Sequence, residues 1–245
     1  MGVIIFNGRS SKDCRIEVET PPKYSVPRRE YEVVHVPGRN GDLIHDNKSY
    51  ENVTAEYEVS IAVPDHASYP HTMAKVEEWL HQESGYLRLE DSYDDDCYRM
   101  AYYDEENQIE NFMNKAGKFT ITFNCKPGRW LKGGEKVVHI GTSGQVLVNP
   151  TEYNSDPLIQ VHGSGNGYFH FGNYVVIINT ITDGMIIDSD LMDVYALSGD
   201  EIINLNGDVE FEPVDEFPKL SPGSNAIYFS GGIRSLDIVP RWWKL

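Results

Sequence analysis

The 245-residue sequence is short of cysteine and of positive charge. Its three cysteines, Cys14, Cys97 and Cys125, form no CxxC pair, which argues against a disulfide framework and against a structural zinc site. We therefore expect three buried thiols in a reducing compartment. The 21 Lys and Arg residues face 38 Asp and Glu residues, so the net charge is −17. This charge disfavours a duplex nucleic-acid partner and an anionic membrane surface.

Long hydrophobic segments are also missing. The longest apolar runs, such as residues 175–178, are far shorter than the roughly 20 residues that a membrane helix needs. The N-terminal residues contain no basic region followed by an apolar stretch, so we expect no signal peptide. Phe6 stands where a myristoylation signal requires Ser or Thr. The sequence therefore predicts neither a membrane helix nor a lipid anchor.

The patterns of common catalytic and nucleotide-binding families are absent from the sequence. It contains no Walker A motif, no GxSxG nucleophile elbow and no HExxH motif. The Gly-Ser-Gly-Asn-Gly of residues 163–167 does not fit GxGxxG and lies between strand-like segments, so we interpret it as a turn. His162 and His170 could approach each other across strands, but no carboxylate stands at ligand spacing. We expect no enzyme and no catalytic, cofactor or metal site.

The densest acidic run covers residues 90–96, beginning with Glu90 and ending with Asp96. Carboxylate oxygens suit calcium, but the spacing of an EF-hand loop and its distal Glu are missing. We interpret the run as a solvated connection between two strands, and calcium binding stays open. A hydrolase that uses an Asp or Glu pair in the second half is a weaker alternative, because such pairs occur there without any defining spacing.

The sequence contains several segments in which apolar and polar residues alternate. The alternation is clearest in residues 53–63 and 119–125, where period two places one set of side chains on a core face. Residues 30–36 and 97–103 are further predicted strands, because they are rich in β-branched or aromatic residues. The Pro-Gly-Arg-Asn-Gly of residues 37–41 predicts a turn after the first of these.

One amphipathic helix is predicted in the first half of the chain. Pro70 suits a first helical turn, where its missing N–H costs nothing, and Gly85 is placed to end the helix. Apolar residues recur between them at helical spacing: Met73, Val76, Trp79 and Leu80. A single helix packed on sheets predicts an α+β or mostly-β first module.

A change of composition marks a boundary between two modules. Residues 126–134 are rich in Pro, Gly and basic residues, so we predict domains at 1–131 and 132–245. Beyond the boundary, short apolar runs recur every 8 to 12 residues or so between turn-forming residues, as in an all-β sandwich. These runs are residues 137–140, 158–161, 168–171, 174–178, 185–187, 202–205, 226–229 and 236–239.

Four aromatic residues of the second module are candidate interface or sugar-stacking residues. They are Trp242, Trp243, Tyr168 and Tyr174. Adjacent strand residues face opposite ways, so we expect one tryptophan in the core and the other at an interface. Sugar stacking by these rings is the alternative.

A series of short motifs resembles the distal tail (Dit) proteins of long, flexible-tailed phages. Each motif is weak alone, but their order and spacing over most of the chain are specific. The motifs are Phe6-Asn7-Gly8, residues 36–43, Trp79-Leu80, Gly85-Tyr86, Leu89-Glu90-Asp91, Tyr98-Arg99, residues 123–127, Asn149-Pro150-Thr151, residues 156–159, Phe217-Pro218, residues 222–225 and the final Pro240-Arg241-Trp242-Trp243.

The resemblance implies a fold and an assembly. The fold would be an N-terminal β-rich domain with one α-helix and a C-terminal β-sandwich similar to galactose-binding or carbohydrate-binding modules. Six N-terminal domains would form a ring at the virion tail tip. The protein itself would be made in the host cytoplasm. The implied partners are the tail tube protein, the tape-measure protein, the tail-associated hub or lysin protein and a receptor-binding protein.

Two functions therefore remain open from the sequence. The first is a structural ring subunit of a phage baseplate, with residues 91–117 as the arm that pairs with a neighbour's sheet edge. The second is a carbohydrate-binding module that contacts host cell-wall glycans through residues 133–245.

Overall fold

The computed structural model describes residues 2–65, 67–103, 110–112, 116–199, 201–214 and 216–245. The chain divides into two compact units, Met1–Arg129 together with Leu245, and Trp130–Lys244. Each unit has its own apolar core. Strands are the main regular structure of both units and the described residues contain one α-helix, so the predicted mostly-β class with one helix is confirmed.

The first unit is an antiparallel sheet with one helix and a separate two-stranded hairpin. Its elements are β1 Ile4–Phe6, β2 Arg9–Ser10, a 3-10 helix Ser11–Cys14, β3 Ile16–Val18, β4 Lys23–Tyr24, β5 Arg29–Val34, β6 Leu43–Tyr50, β7 Val53–Ala62, α1 Ser68–His81, β8 Leu87–Asp91, β9 Cys97–Tyr103, β10 Glu110–Phe112 and β11 Ala116–Cys125. The main sheet has the order β2-β1-β8-β9-β11-β7-β3, while β5 and β6 pair only with each other.

The pairing of β7 with β11 forms the centre of the first unit. The two strands pair along their whole length, from Ala62↔Ala116 to Val53↔Cys125. Alternate residues of β7 are buried while those between them are exposed or half-buried, as period two predicts. The strands predicted at 53–63, 97–103 and 119–125 are thus confirmed, each with small differences at most in its ends.

The helix α1 packs its apolar face on this sheet. Val76, Trp79 and Leu80 are buried, and the indole Nε1 of Trp79 donates a hydrogen bond to the carbonyl oxygen of Phe6 at 3.3 Å. Pro70 lies in the first turn, as predicted. The helix ends at His81, before the predicted stop at Gly85. No helix among the described residues is long and apolar enough to cross a membrane.

The regular elements of the second unit, within its described residues, are strands and two short 3-10 helices. The strands are β12 Arg129–Leu131, β13 Val138–Ile140, β14 Gln145–Asn149, β15 Leu158–Phe171, β16 Tyr174–Ile181, β17 Met185–Asp188, β18 Asp193–Ser198, β19 Glu201–Asn204, β20 Val209–Glu212, β21 Gly223–Val239 and β22 Trp243–Lys244, and the 3-10 helices are Lys132–Glu135 and Asn206–Asp208. The main order is β13-β21-β15-β17-β18-β19; β14 pairs with β21, and β16 pairs with β15 and β20.

The glycine-rich residues 163–167 do not form the predicted turn. They lie inside β15, which pairs with β21. The pairing register of the two strands shifts on either side of Gly163. A Cβ atom at Gly163 would lie 2.2 Å from the carbonyl oxygen of Gly232, and one at Gly232 would lie 1.7 Å from the carbonyl oxygen of Ser164. The glycines are therefore needed for close approach of two backbones at a bulge, and the prediction of a turn was wrong.

A buried ion pair fixes the last residues of the second unit. Arg241 adopts a left-handed φ of 55°, and its guanidinium donates two hydrogen bonds to Asp188, at 2.6 and 2.9 Å. Asp188 is 2% exposed and also accepts bonds from the backbone N–H groups of Asp190 and Leu191. Burial opposes the charged carboxylate, but these hydrogen bonds outweigh it and lower the pKa of Asp188.

Replacing Phe123 by Ala should reduce the free energy of unfolding by about 3–5 kcal/mol. The Phe123 ring is fully buried on β11, with its centroid 4.8 Å from that of Phe6 and 6.0 Å from that of Tyr57. Urea unfolding followed by circular dichroism measures the change. Thr120→Ala, an exposed change on the same strand, is the control. Equal losses in the two variants would contradict this assignment of the core.

Replacing Asp188 by Asn should lower stability in a pH-dependent way. A carboxyl whose pKa is lowered by folding stabilises the protein above its unfolded pKa of about 3.9, and this contribution is lost as pH falls through the folded pKa. We expect Asp188→Asn to cost about 2 kcal/mol at pH 7 and progressively less below about pH 4. Urea unfolding at several pH values tests this, with the exposed Glu201→Gln as control. A cost that stays constant with pH would refute the role of the charge.

Candidate interaction surfaces

The two terminal tryptophans lie in different environments. Trp242 is buried in the core of the second unit. Trp243 is half-buried; its indole Nε1 donates to the carbonyl oxygen of Asn154 at 2.7 Å, and its ring stacks on Tyr153 at 4.6 Å between centroids. Both rings are therefore already packed against residues of their own unit.

The two predicted tyrosines face opposite sides of the sheet. Tyr168 on β15 is 45% exposed, and its strand partner on β16 is Ile177. Tyr174 opens β16 and shares the face of Val176 and Ile178, which are buried. The structure thus does not bring the four predicted aromatic residues together at one site.

Tyr168 instead lies in a row with two aromatic residues that the sequence patterns did not indicate. The ring of His170 lies 6.5 Å from that of Tyr168, with an angle of 15° between the planes. The ring of Tyr228 lies 5.0 Å from that of His170, with an angle of 14°. We call Tyr168, His170 and Tyr228 the aromatic row. The row spans β15 and β21, which are far apart in the sequence. The only part of the row that a local sequence pattern could indicate is the alternation of Tyr168 and His170.

The β5–β6 hairpin is the most exposed apolar element of the first unit. Val33 pairs directly with Ile44, and these two side chains are 51% and 66% exposed on one face, beside Tyr31. Val34 and Leu43 form the next pair and are exposed on the opposite face. An isolated two-stranded hairpin in water is marginally stable at best. Its exposed apolar side chains make it a candidate interaction surface.

Residues 91–117, the arm predicted from the sequence, lie partly outside the described residues. The parts outside are residues 104–109 and 113–115. Within the described residues, this range contains β9, β10 and part of β11, and all three strands pair within their own sheet.

The sequence predicted part of the β5–β6 hairpin, as the strand at 30–36 and the turn at 37–41. No local sequence pattern indicated that the hairpin would be separate from the main sheet.

The acidic run at 90–96 connects β8 to β9, which pair with each other, so its interpretation as a connection between strands is confirmed. Asp91 accepts hydrogen bonds from the hydroxyls of Tyr24 and Tyr57 and from the backbone N–H groups of Tyr93 and Asp94. Asp94 pairs with Arg129 at 3.1 Å. Burial raises the pKa of the Tyr57 hydroxyl well above its usual value, so this donor stays protonated. The carboxylates of Asp91 and Asp94 thus shape the turn.

Within the described ranges, no three His, Cys, Asp or Glu side chains form a group that could hold a metal ion. His162 and His170, which the sequence left as a possible pair across strands, both lie on the single strand β15. His162 instead contacts Asp237 at 3.2 Å, and His139 contacts the same carboxylate at 2.6 Å. The three cysteines are buried, as predicted, and burial raises the pKa of Cys125 to about 12.

Comparison with known proteins identifies the first unit by sequence and both units by fold. Residues 12–125 match the family described as the phage tail protein RIFT-related domain. No curated protein sequence matches the chain.

Solved phage structures share the fold at low sequence identity. The crystal structure of the Dit protein of phage SPP1, described as a paradigm of the hub adsorption apparatus in phages that infect Gram-positive bacteria, matches with a TM-score of 0.76 and 13% identity over 100% of both chains. A chain of the phage P2 baseplate in its activated conformation with Ca matches with a TM-score of 0.52 and 11% identity over 97% of both chains. The same baseplate with Sr gives a TM-score of 0.50 and 11% identity, over 97% of this chain and 96% of that one.

These findings confirm the resemblance drawn from the sequence motifs. Residues 12–125 form a phage tail protein RIFT-related domain, and the whole chain has the fold of a siphophage distal tail (Dit) protein.

Proposed function

We propose that this chain is a structural subunit of a phage tail-tip or baseplate hub, in which six copies form a ring that joins the tail tube to the tail-tip proteins. The observation that carries the proposal is the β5–β6 hairpin, which exposes apolar side chains on both faces. It lies in the unit that carries the phage tail domain.

The apolar side chains of this hairpin cost free energy when they are left in water. Burying a large apolar side chain contributes about 1.5–3 kcal/mol, and Tyr31, Val33 and Ile44 lie side by side on one face. A cyclic ring uses head-to-tail contacts, in which one patch of a subunit binds a different patch of its neighbour. A hairpin whose strands pair only with each other is well suited to such a contact, because it supplies one patch without using the main sheet of its own unit.

The structural neighbours support this role in the virion. The SPP1 protein is described as part of a hub adsorption apparatus, and the P2 chains belong to a baseplate. In this chain, the ring would contact the tail tube protein, the tape-measure protein and the tail-associated hub or lysin protein, and would carry a receptor-binding protein. The role is structural rather than catalytic, and the place is the tail tip of the virion.

The purified chain should form rings whose mass is near six times 27.8 kDa. Val33→Asp and Ile44→Asp should each shift the chain towards monomer, because a carboxylate buried in an apolar contact loses its hydration without gaining a partner. Native mass spectrometry and negative-stain electron microscopy measure the ring fraction. Leu197→Asp, on an exposed residue of β18 in the second unit, is the matched control and should leave the rings intact.

Circular dichroism separates loss of assembly from loss of fold, since both variants should keep the spectrum of the parent chain. A strict monomer at high concentration, with no ring even alongside tail partners, would reject the ring. Rings that tolerate both hairpin variants would reject the hairpin as the joint.

A further inference from the structure

The aromatic row stands on the outer face of the second unit's sheet. His170 pairs with Tyr228 across the β15–β21 ladder, and Tyr168 pairs with Ser230. Phe169 and Phe171 alternate with the row along β15 and are fully buried on the other face. Tyr228 is 46% exposed, close to the value for Tyr168. The sheet therefore holds three nearly parallel rings in place while it leaves them open to solvent.

The neighbouring strands widen this outer face. On one side, Val146 and Val148 of β14 are exposed beside β21. On the other side, Val175 pairs with His170 and Ile177 with Tyr168, and both are only half-buried. The result is an apolar surface with the rings at its centre, which no element among the described residues of the unit covers.

Polar acceptors border the surface beyond β16. Glu212 pairs with Val175 and Glu210 with Ile177, so both glutamates lie on the same face as the rings. The amide of Asn179 donates to Glu210 Oε1 at 3.2 Å. Within the described part of the chain, the hydroxyls of Tyr168 and Tyr228 have no hydrogen-bond partner. Carboxylate, amide and phenol groups are the donors and acceptors that sugar hydroxyls require.

The charge of the face restricts which ligand it can take. Residues 131–245 contain 6 Lys and Arg against 15 Asp and Glu, a net −9. No Lys or Arg occurs in residues 145–149, 158–181, 209–212 or 223–233, which supply this face. A phosphate polymer or an acidic chain would be repelled by Glu210 and Glu212 and would find no cation. A neutral ligand avoids this penalty.

Sugars combine the two properties that this face offers. A pyranose ring has an apolar face of C–H groups, which packs on an aromatic ring, and a rim of hydroxyls, which bonds to acceptors. We propose that this face binds a neutral polysaccharide, with sugar rings stacked on Tyr168 and Tyr228 and sugar hydroxyls bonded to Glu210 and Glu212. The proposal goes beyond the ring function and does not depend on it.

Isothermal titration calorimetry of the full chain tests the proposal with maltohexaose, cellohexaose and a soluble galactan as neutral probes and glycerol-phosphate teichoic acid as the anionic probe. We expect saturable binding of a neutral probe and none of the teichoic acid. Tyr228→Ala should weaken binding about tenfold, while Tyr228→Phe should retain most of it because the ring remains. Leu197→Ala, an exposed change elsewhere in the same unit, should have no effect.

Three results would overturn the proposal. One is the absence of saturable binding by every neutral probe up to millimolar concentration. A second is binding that survives the double replacement of Tyr168 and Tyr228 by Ala in a chain with an unchanged circular dichroism spectrum. A third is a row variant that loses a protein contact in assembled tail tips while the parent chain binds no glycan, since the face would then be a protein interface.

Discussion

Antiparallel pairing between strands with one buried face is the constraint on which both units depend. In the first unit, β7 and β11 pair along their full length and bury alternate side chains such as Tyr57 and Phe123. In the second unit, β15 pairs with β21 through two register shifts and buries side chains such as Phe169. Because the side-chain period of a strand is two, each buried residue fixes its neighbours on the opposite face. The exposed aromatic row is thus a direct consequence of the core beneath it.

Several carboxylates stabilise the two units through hydrogen bonds to neighbouring strands and connections. Asp91 organises a strand connection through tyrosine hydroxyls and backbone N–H groups, and Asp188 fixes Arg241 before the final strand. Asp237 holds two histidines, His139 and His162, at its two oxygens. The half-buried or buried carboxylates of Asp91, Asp188 and Asp237 are therefore tied to partners within the described part of the chain.

Much of the framework was determined by the sequence alone. The alternation in residues 53–63 and 119–125 predicts two strands and their buried faces, because period two is a local property of the chain. The helical spacing around Trp79 predicts α1, and the acidic run at 90–96 is a strand connection. The motif order along the chain also led to the distal tail protein resemblance. Apart from the motif order, which extends over most of the chain, each of these signals is contained within a few neighbouring residues.

Other features were decided only by the tertiary structure. The glycines of 163–167 look like a turn, but they permit the close approach of Gly232 on a strand about 65 residues away. The row of Tyr168, His170 and Tyr228 exists only because β15 lies beside β21. The sequence of the β5–β6 hairpin has the pattern of ordinary strands. That β5 and β6 pair only with each other and leave their apolar side chains exposed is seen only in the structure. The sequence encodes periodicity locally, whereas which strands become neighbours is a long-range property set by packing of the whole unit.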